Sequence, residues 1–192
     1  MTINRWLLVA LLLVAVLIGA GGMLVSVAAN RYTSTDAFCT SCHTMTLQAS
    51  DPYFQKSVHR SNAEGIRPSC GECHIPTNNW FVETYTHVST GIRDVWVTMT
   101  HDFSNPQTWE MRRAGLEQEV LADLRAWDSI TCRSCHDASA IQPKSEAGRQ
   151  SHAALAQGGV TCVDCHVNLV HPPAQHAAAP AASPPTPPTP PK

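Results

Sequence analysis

Every cysteine in this chain belongs to one of four copies of Cys-x-x-Cys-His: Cys39 and Cys42 with His43, Cys70 and Cys73 with His74, Cys132 and Cys135 with His136, and Cys162 and Cys165 with His166. Two thiols at that spacing can add to the two vinyl groups of one haem. A histidine directly behind the second thiol is then carried beneath the iron as its proximal ligand. A zinc module of thiolates and imidazoles has no need of a histidine after every second cysteine. A disulfide framework selects no such neighbour at all. The pattern implies four covalently bound haem c groups and electron transfer as the chemistry.

The motifs fall in pairs. Their starts at 39 and 70 are 31 residues apart, and those at 132 and 162 are 30 apart. His59 follows His43 by 16 residues, and His152 follows His136 by the same 16. The chain thus reads as two copies of one dihaem unit. An iron with one histidine needs a second strong ligand to become a low-spin carrier, and neutral imidazole is the usual choice. His59 and His152 are the foremost distal candidates. His171, five residues after His166, is too near its own motif to reach the far side of that haem and is better placed to serve another. His176 lies in the tail and is left out of the ligand set. Met45, two residues beyond His43, is either a packing residue or a thioether that takes the iron in place of the histidine, which raises the haem potential relative to two histidines.

Several elements must position these groups. No charged residue occurs between Arg5 and Arg31. At ~1.5 Å rise per residue, residues 6–29 are long enough to cross a hydrocarbon core of ~30 Å. Their apolar stretch exceeds the h-region of a cleaved signal, which favours a lasting anchor. Residues 1–5 form a short cytoplasmic arm and residues 30–171 a tetrahaem domain. Residues 172–192, rich in Ala and Pro, form a tail that cannot bury apolar surface and is expected to be disordered. Between the two haem pairs the pattern predicts two helices. The first, capped by Asn78 or Asn79, runs through Trp80, Tyr85, Val88, Ile92 and Trp96, and carries His87, Asp94 and His101 at seven-residue intervals on one face. The second starts with Asn105 as cap and Pro106 at its first position. The expected fold is mainly α with little or no β: one transmembrane helix and a small multihaem head. A net charge of −2 is uninformative, and with no run of basic residues the chain gives no hint of nucleic-acid binding, so no nucleic acid is expected as a partner.

A more specific pattern runs through about residues 1 to 171: the N-terminal anchor, Thr35-Asp36-Ala37-Phe38 leading into Cys39, the His43-Thr44-Met45 ending, Val58-His59, Cys73-His74-Ile75-Pro76, and His166 followed by His171. This resembles the NapC/NirT family of membrane-anchored tetrahaem quinol dehydrogenases, including its NrfH-type members. The resemblance implies a bacterial inner-membrane protein with its haem domain in the periplasm. Its role would be an electron-transfer subunit with quinol dehydrogenase activity, taking electrons from the membrane quinol pool to a periplasmic reductase of nitrate or nitrite type in anaerobic respiration. It also implies Met45 as a ligand of the first haem and Asp94 on the far side of that haem, beside the quinol. There Asp94 would accept a proton and the neighbouring Arg93 would keep it charged.

The chain departs from the family in two places. Thr77 stands where NapC-type members carry a histidine. His87 stands where NrfH-type members carry a ligating lysine, which implies His87 as distal ligand of the second haem, His59 of the third, and His171 or His152 of the fourth. The internal repeat offers another pairing, with His152 sent to the first haem. Two other functions fit the same motifs: passage of electrons from a periplasmic oxidase into the quinone pool, and a haem-based sensor or reductase with an open first haem.

Overall fold

The structure, a computed structural model, describes residues 4–101, 103 and 106–174. The Asn105 cap, His176 and most of the Pro-rich tail therefore lie outside the described residues. All regular elements among the described residues are helical, as the patterning predicts.

The first helix, α1 (Arg5–Thr33), is capped by the Asn4 side chain, which accepts from the Trp6 amide at 3.0 Å. Its leucines and valines point outward along its length. That is the form a single helix takes when lipid replaces a protein partner. The helix outruns residues 6–29 by one turn, and the reason is local. Asn30 is buried and donates its side-chain amide to Thr84 Oγ1 at 2.9 Å, so the last turn docks against a later helix.

Short elements carry the motifs or link them. They are α2 (Asp36–Cys39), α3 (His43–Ser50), α4 (Pro52–Lys56), α5 (Cys70–His74) and α8 (Ile130–Arg133), with a 3₁₀ turn at Cys162–Asp164. Three of these starts have a side-chain cap. Thr35 caps α2, Asp51 caps α4 with Pro52 at its first position, and Ser69 and Glu72 form a reciprocal capping box on α5. Such short helices gain little from backbone cooperativity, so caps and tertiary contacts hold them.

Two long helices separate the haem pairs, α6 (Trp80–Thr100) and α7 (Pro106–Ala126). Asn79 caps α6, its Oδ1 accepting from Phe81 N at 2.9 Å and Val82 N at 3.3 Å. A further helix, α9 (Glu146–Gln157), starts at the Ser145 cap and ends at Gly158, whose φ of 80° stops the helix at little steric penalty.

Side chains alone make a thin core. Among the described residues the buried apolar set is Phe103, Val163 and Ala174, while Ser129 and Thr131 are buried polar neighbours of the third motif. A head of this size with four apolar macrocycles attached packs its chain around them in place of a separate side-chain interior.

Candidate functional site

Three of the four motifs fold into one helical turn. In α5 the turn spans Cys70–His74. In the third and fourth motifs the histidine amide closes back on the first cysteine, with His136 N to Cys132 O at 2.9 Å and His166 N to Cys162 O at 2.9 Å. The first motif is built differently. Helix α2 stops at Cys39 and a new helix starts at His43, with Cys42 in the capping position. Met45 occupies the first turn of α3 and is 39% exposed.

The cysteines also reveal the order of the sites. The Cys39 and Cys70 thiols face each other closely enough to perturb one another's ionisation, and so do those of Cys132 and Cys162. The first cysteine of each unit thus meets the first cysteine of that unit's second motif, which is the duplication expressed in space. Cys73 lies near Cys132 and Cys135, where α5 packs on α8 and the two units join. The four sites form an unbroken series from the first motif to the fourth.

Three motif histidines each have a second imidazole in front of them. His59 lies 6.1 Å from His136 between ring centroids, His171 lies 6.2 Å from His74, and His152 lies 6.0 Å from His166. Two nitrogens bound to one metal at ~2.0 Å each put their ring centres roughly 6 Å apart. The spacing is therefore that of two imidazoles sharing an iron, and too wide for direct stacking. The chemistry of the donors agrees. His152 Nδ1 donates to the Gly148 carbonyl at 2.8 Å, which leaves the Nε2 lone pair free. Burial, followed by the nearby His74 and Arg113, pushes the His171 pKa down to about 4, so this imidazole is neutral as a ligand must be. Burial and the neighbouring His136 likewise lower His59, and burial lowers His74. The Nδ1 atoms of His59 and His171 are buried without a partner among the described residues. Residues and spacing fit bound haem.

His87 is placed elsewhere. Its Nδ1 lies 3.2 Å from Thr33 Oγ1 and its Nε2 3.1 Å from Ser34 Oγ, so α6 is pinned to the end of α1, while His171 occupies the position facing His74. Two turns further along α6, Asp94 lies near enough to His74 for their charges to interact. Burial pushes the Asp94 carboxyl above its ordinary range, against the opposing pull of Arg93, whose Nε is 3.7 Å away. Arg93 also bridges to Glu119 of α7 at 2.9 Å. His101, at the end of α6, stacks on Phe103 with centroids 6.0 Å apart.

Sequence reasoning passed over Asp36. Its carboxylate accepts from Cys70 N at 2.8 Å and from Arg60 Nη1 at 2.9 Å, tying the first motif to the second. An acid three residues ahead of Cys39, next to a Thr cap, was the available signal. Phe54, stacked on His171 at 5.5 Å with an interplanar angle of 7°, had none.

The comparisons with known proteins agree with this architecture. The profile of the NapC/NirT cytochrome c family, N-terminal region, matches residues 1–176. A probable tetraheme cytochrome c-type protein of Nitrosomonas europaea is 36% identical over 166 residues, covering 85% of this chain and 65% of that one. The cytochrome c-type protein TorY of Haemophilus influenzae is 35% identical over 156 residues, covering 80% and 41%. The cytochrome c-type protein NapC of Paracoccus pantotrophus is 34% identical over 145 residues, covering 72% and 59%. The chain thus spans about two thirds or less of the length of these relatives. No solved structure matches. With its anchor helix, its four motifs and its facing imidazole pairs, the chain belongs to the NapC/NirT family and is a membrane-anchored tetrahaem c-type cytochrome.

Proposed function

We propose that the protein oxidises membrane quinol and relays the electrons through its four haems to a periplasmic reductase of nitrate or nitrite type. The observation that carries this reading is the position of Asp94. It stands on the helix that docks on the last turn of α1, where the chain leaves the membrane, with its carboxyl pKa raised and a cation beside it.

Oxidation of a quinol releases two electrons and two protons. Bound haem c supplies one-electron redox chemistry. An ionised Asp94 within hydrogen-bond reach of the quinol hydroxyl accepts one proton, and the second passes to water. Arg93 favours the ionised form of Asp94 against the effect of burial. The eight thiols would tether the haems, and the imidazole pairs His59 with His136, His171 with His74 and His152 with His166 would hold three of the irons. Met45, exposed in the first turn of α3, is the thioether available to the first haem. Covalent attachment of haem c takes place outside the bacterial cytoplasm, which directs residues after α1 to the periplasm.

The test is an anaerobic mixing experiment. Oxidised, detergent-solubilised protein is combined with a menaquinol or ubiquinol analogue and the haem α-band is followed. Rapid reduction that is lost in Asp94→Asn, while dithionite still reduces both proteins, is the expected result. Reduction by dithionite but by no quinol would sink the proposal.

A further inference from the structure

We propose that α6 is a second membrane contact, lying along the bilayer surface with its outer face among the lipid acyl chains beside α1. Phe81, Tyr85, Val88, Ile92, Trp96 and Met99 follow one another at intervals of three or four residues and are all between 55% and 80% exposed. They form one apolar stripe ~27 Å long by helical rise. The helix's charged residues, Glu83, Arg93 and Asp94, all fall outside that stripe. At its C-terminal half, Gly91 opens an apolar groove of about 380 Å³ between Ile92, Val95, Trp96 and Met99. An exposed stripe of this length is a partner surface, not ordinary exterior.

The haem-bearing elements lie on the other face of α6. There Thr86 is buried, His87 meets Thr33 and Ser34, and Asp94 lies within electrostatic reach of His74. The stripe is therefore turned away from the redox centres. Lipid is the occupant that the geometry selects, because α6 is fastened directly to the point where α1 emerges. Asn30 Nδ2 donates to Thr84 Oγ1 at 2.9 Å, and His87 bridges the hydroxyls of Thr33 and Ser34. Exposed apolar residues line α1, and the stripe of α6 is exposed as well on the helix fastened to its end. Tyr85 and Trp96 are residue types that settle at the level of the headgroups, with a ring in hydrocarbon and a polar edge in water. The haem head then rests on the membrane instead of standing off on a single stalk.

Full-length protein carrying its full haem complement is reconstituted into nanodiscs of phosphatidylcholine and phosphatidylglycerol containing a phospholipid with a photoactivatable diazirine in its acyl chain. After irradiation the lipid adducts are mapped by mass spectrometry. Adducts are expected on α1 and on the Ile92-to-Met99 stretch of α6. The triple variant I92S/W96S/M99S should keep its haem content and its α1 adducts and lose those on α6. Adducts confined to α1 in the unaltered protein would overturn the proposal. So would chain-to-chain cross-links through the stripe when a bifunctional photo-cross-linker is added in a parallel sample, which would assign that face to a second copy.

Discussion

The His171 ring faces the His74 ring at 6.2 Å with a tilt of 46°, although α6 and α7 both intervene in the chain between them. Phe54, stacked on the outer side of His171, keeps the imidazole from turning away. Replacement of His171 by Ala should convert one of the four haems from low-spin to high-spin, read by magnetic circular dichroism or electron paramagnetic resonance of the oxidised protein. His87→Ala should leave that haem unchanged, because His87 is engaged with Thr33 and Ser34. The same spectral change in His87→Ala, with none in His171→Ala, would reverse the assignment.

His152 presents Nε2 to His166 because its Nδ1 proton is held by the Gly148 carbonyl. In His152→Met the fourth haem should stay low-spin and its potential should rise, by some fraction of the ~0.8 V that axial ligands span. A spectroelectrochemical titration showing all four potentials unmoved would exclude His152 as a ligand.

Asp94 gives the quinol reaction a pH dependence of known sign. Burial raises its pKa above the ordinary 3.8, so the group accepts a proton only above that raised value, and the rate should climb with pH through an acid limb displaced upward from 3.8. Asp94→Asn should remove the limb along with the activity. Because the folded pKa exceeds the unfolded one, ionised Asp94 opposes folding above pH 3.8. The variant should therefore melt no lower than the parent at neutral pH, which separates lost chemistry from lost structure.

Asp36 acts in the opposite sense. Burial works to raise its pKa, but hydrogen bonds from Cys70 N and Arg60 outweigh it and the net shift is downward from 3.8. A depressed carboxyl stabilises the fold above the unfolded pKa, and this contribution is lost as the pH falls below 3.8 through the folded value. Asp36→Asn should destabilise the holoprotein by about 1–2 kcal/mol at neutral pH, discounted for partial exposure, and the deficit should shrink in acid. Thermal melts across pH 3 to 7, a range chosen to bracket roughly the ordinary carboxylate pKa, would measure it.

Gly71 tests the junction between the membrane exit and the second motif. A Cβ there would meet Ser34 O at 2.5 Å and Ser34 Cα at 2.8 Å, both backbone atoms that cannot swing aside. Gly71→Ala should lower the melting temperature and the yield of holoprotein. Gly115→Ala, on α7 with nothing within 4 Å, should be tolerated. Equal behaviour of the two variants would mean that Ser34 and α5 do not meet so closely.

Chemistry carried by residues close together in the chain was legible without coordinates. The spacing of each Cys-x-x-Cys-His encodes haem attachment because both thiols and the histidine address one cofactor from one turn. The charge-free run behind Arg5 encodes a membrane helix because lipid offers no partner for charge. The Asn79 cap and the helical spacing after it encode α6, and the paired intervals of 31 and 30 residues encode the duplication. All of these depend on short-range geometry that the backbone itself imposes.

Which imidazole meets which motif was not encoded that way. His59 reaches His136, in the other unit, while His152 stays with His166 in its own, so equal 16-residue intervals lead to unequal partners. His171 reaches back to His74, and His87 goes to α1 instead. The apolar side of α6 is likewise turned outward, although its spacing would serve equally well to face a core. These outcomes depend on how α5 packs on α8 and how α6 docks on α1. They involve contacts between distant parts of the chain, which many arrangements of the same helices could satisfy and which only the assembled tertiary structure selects.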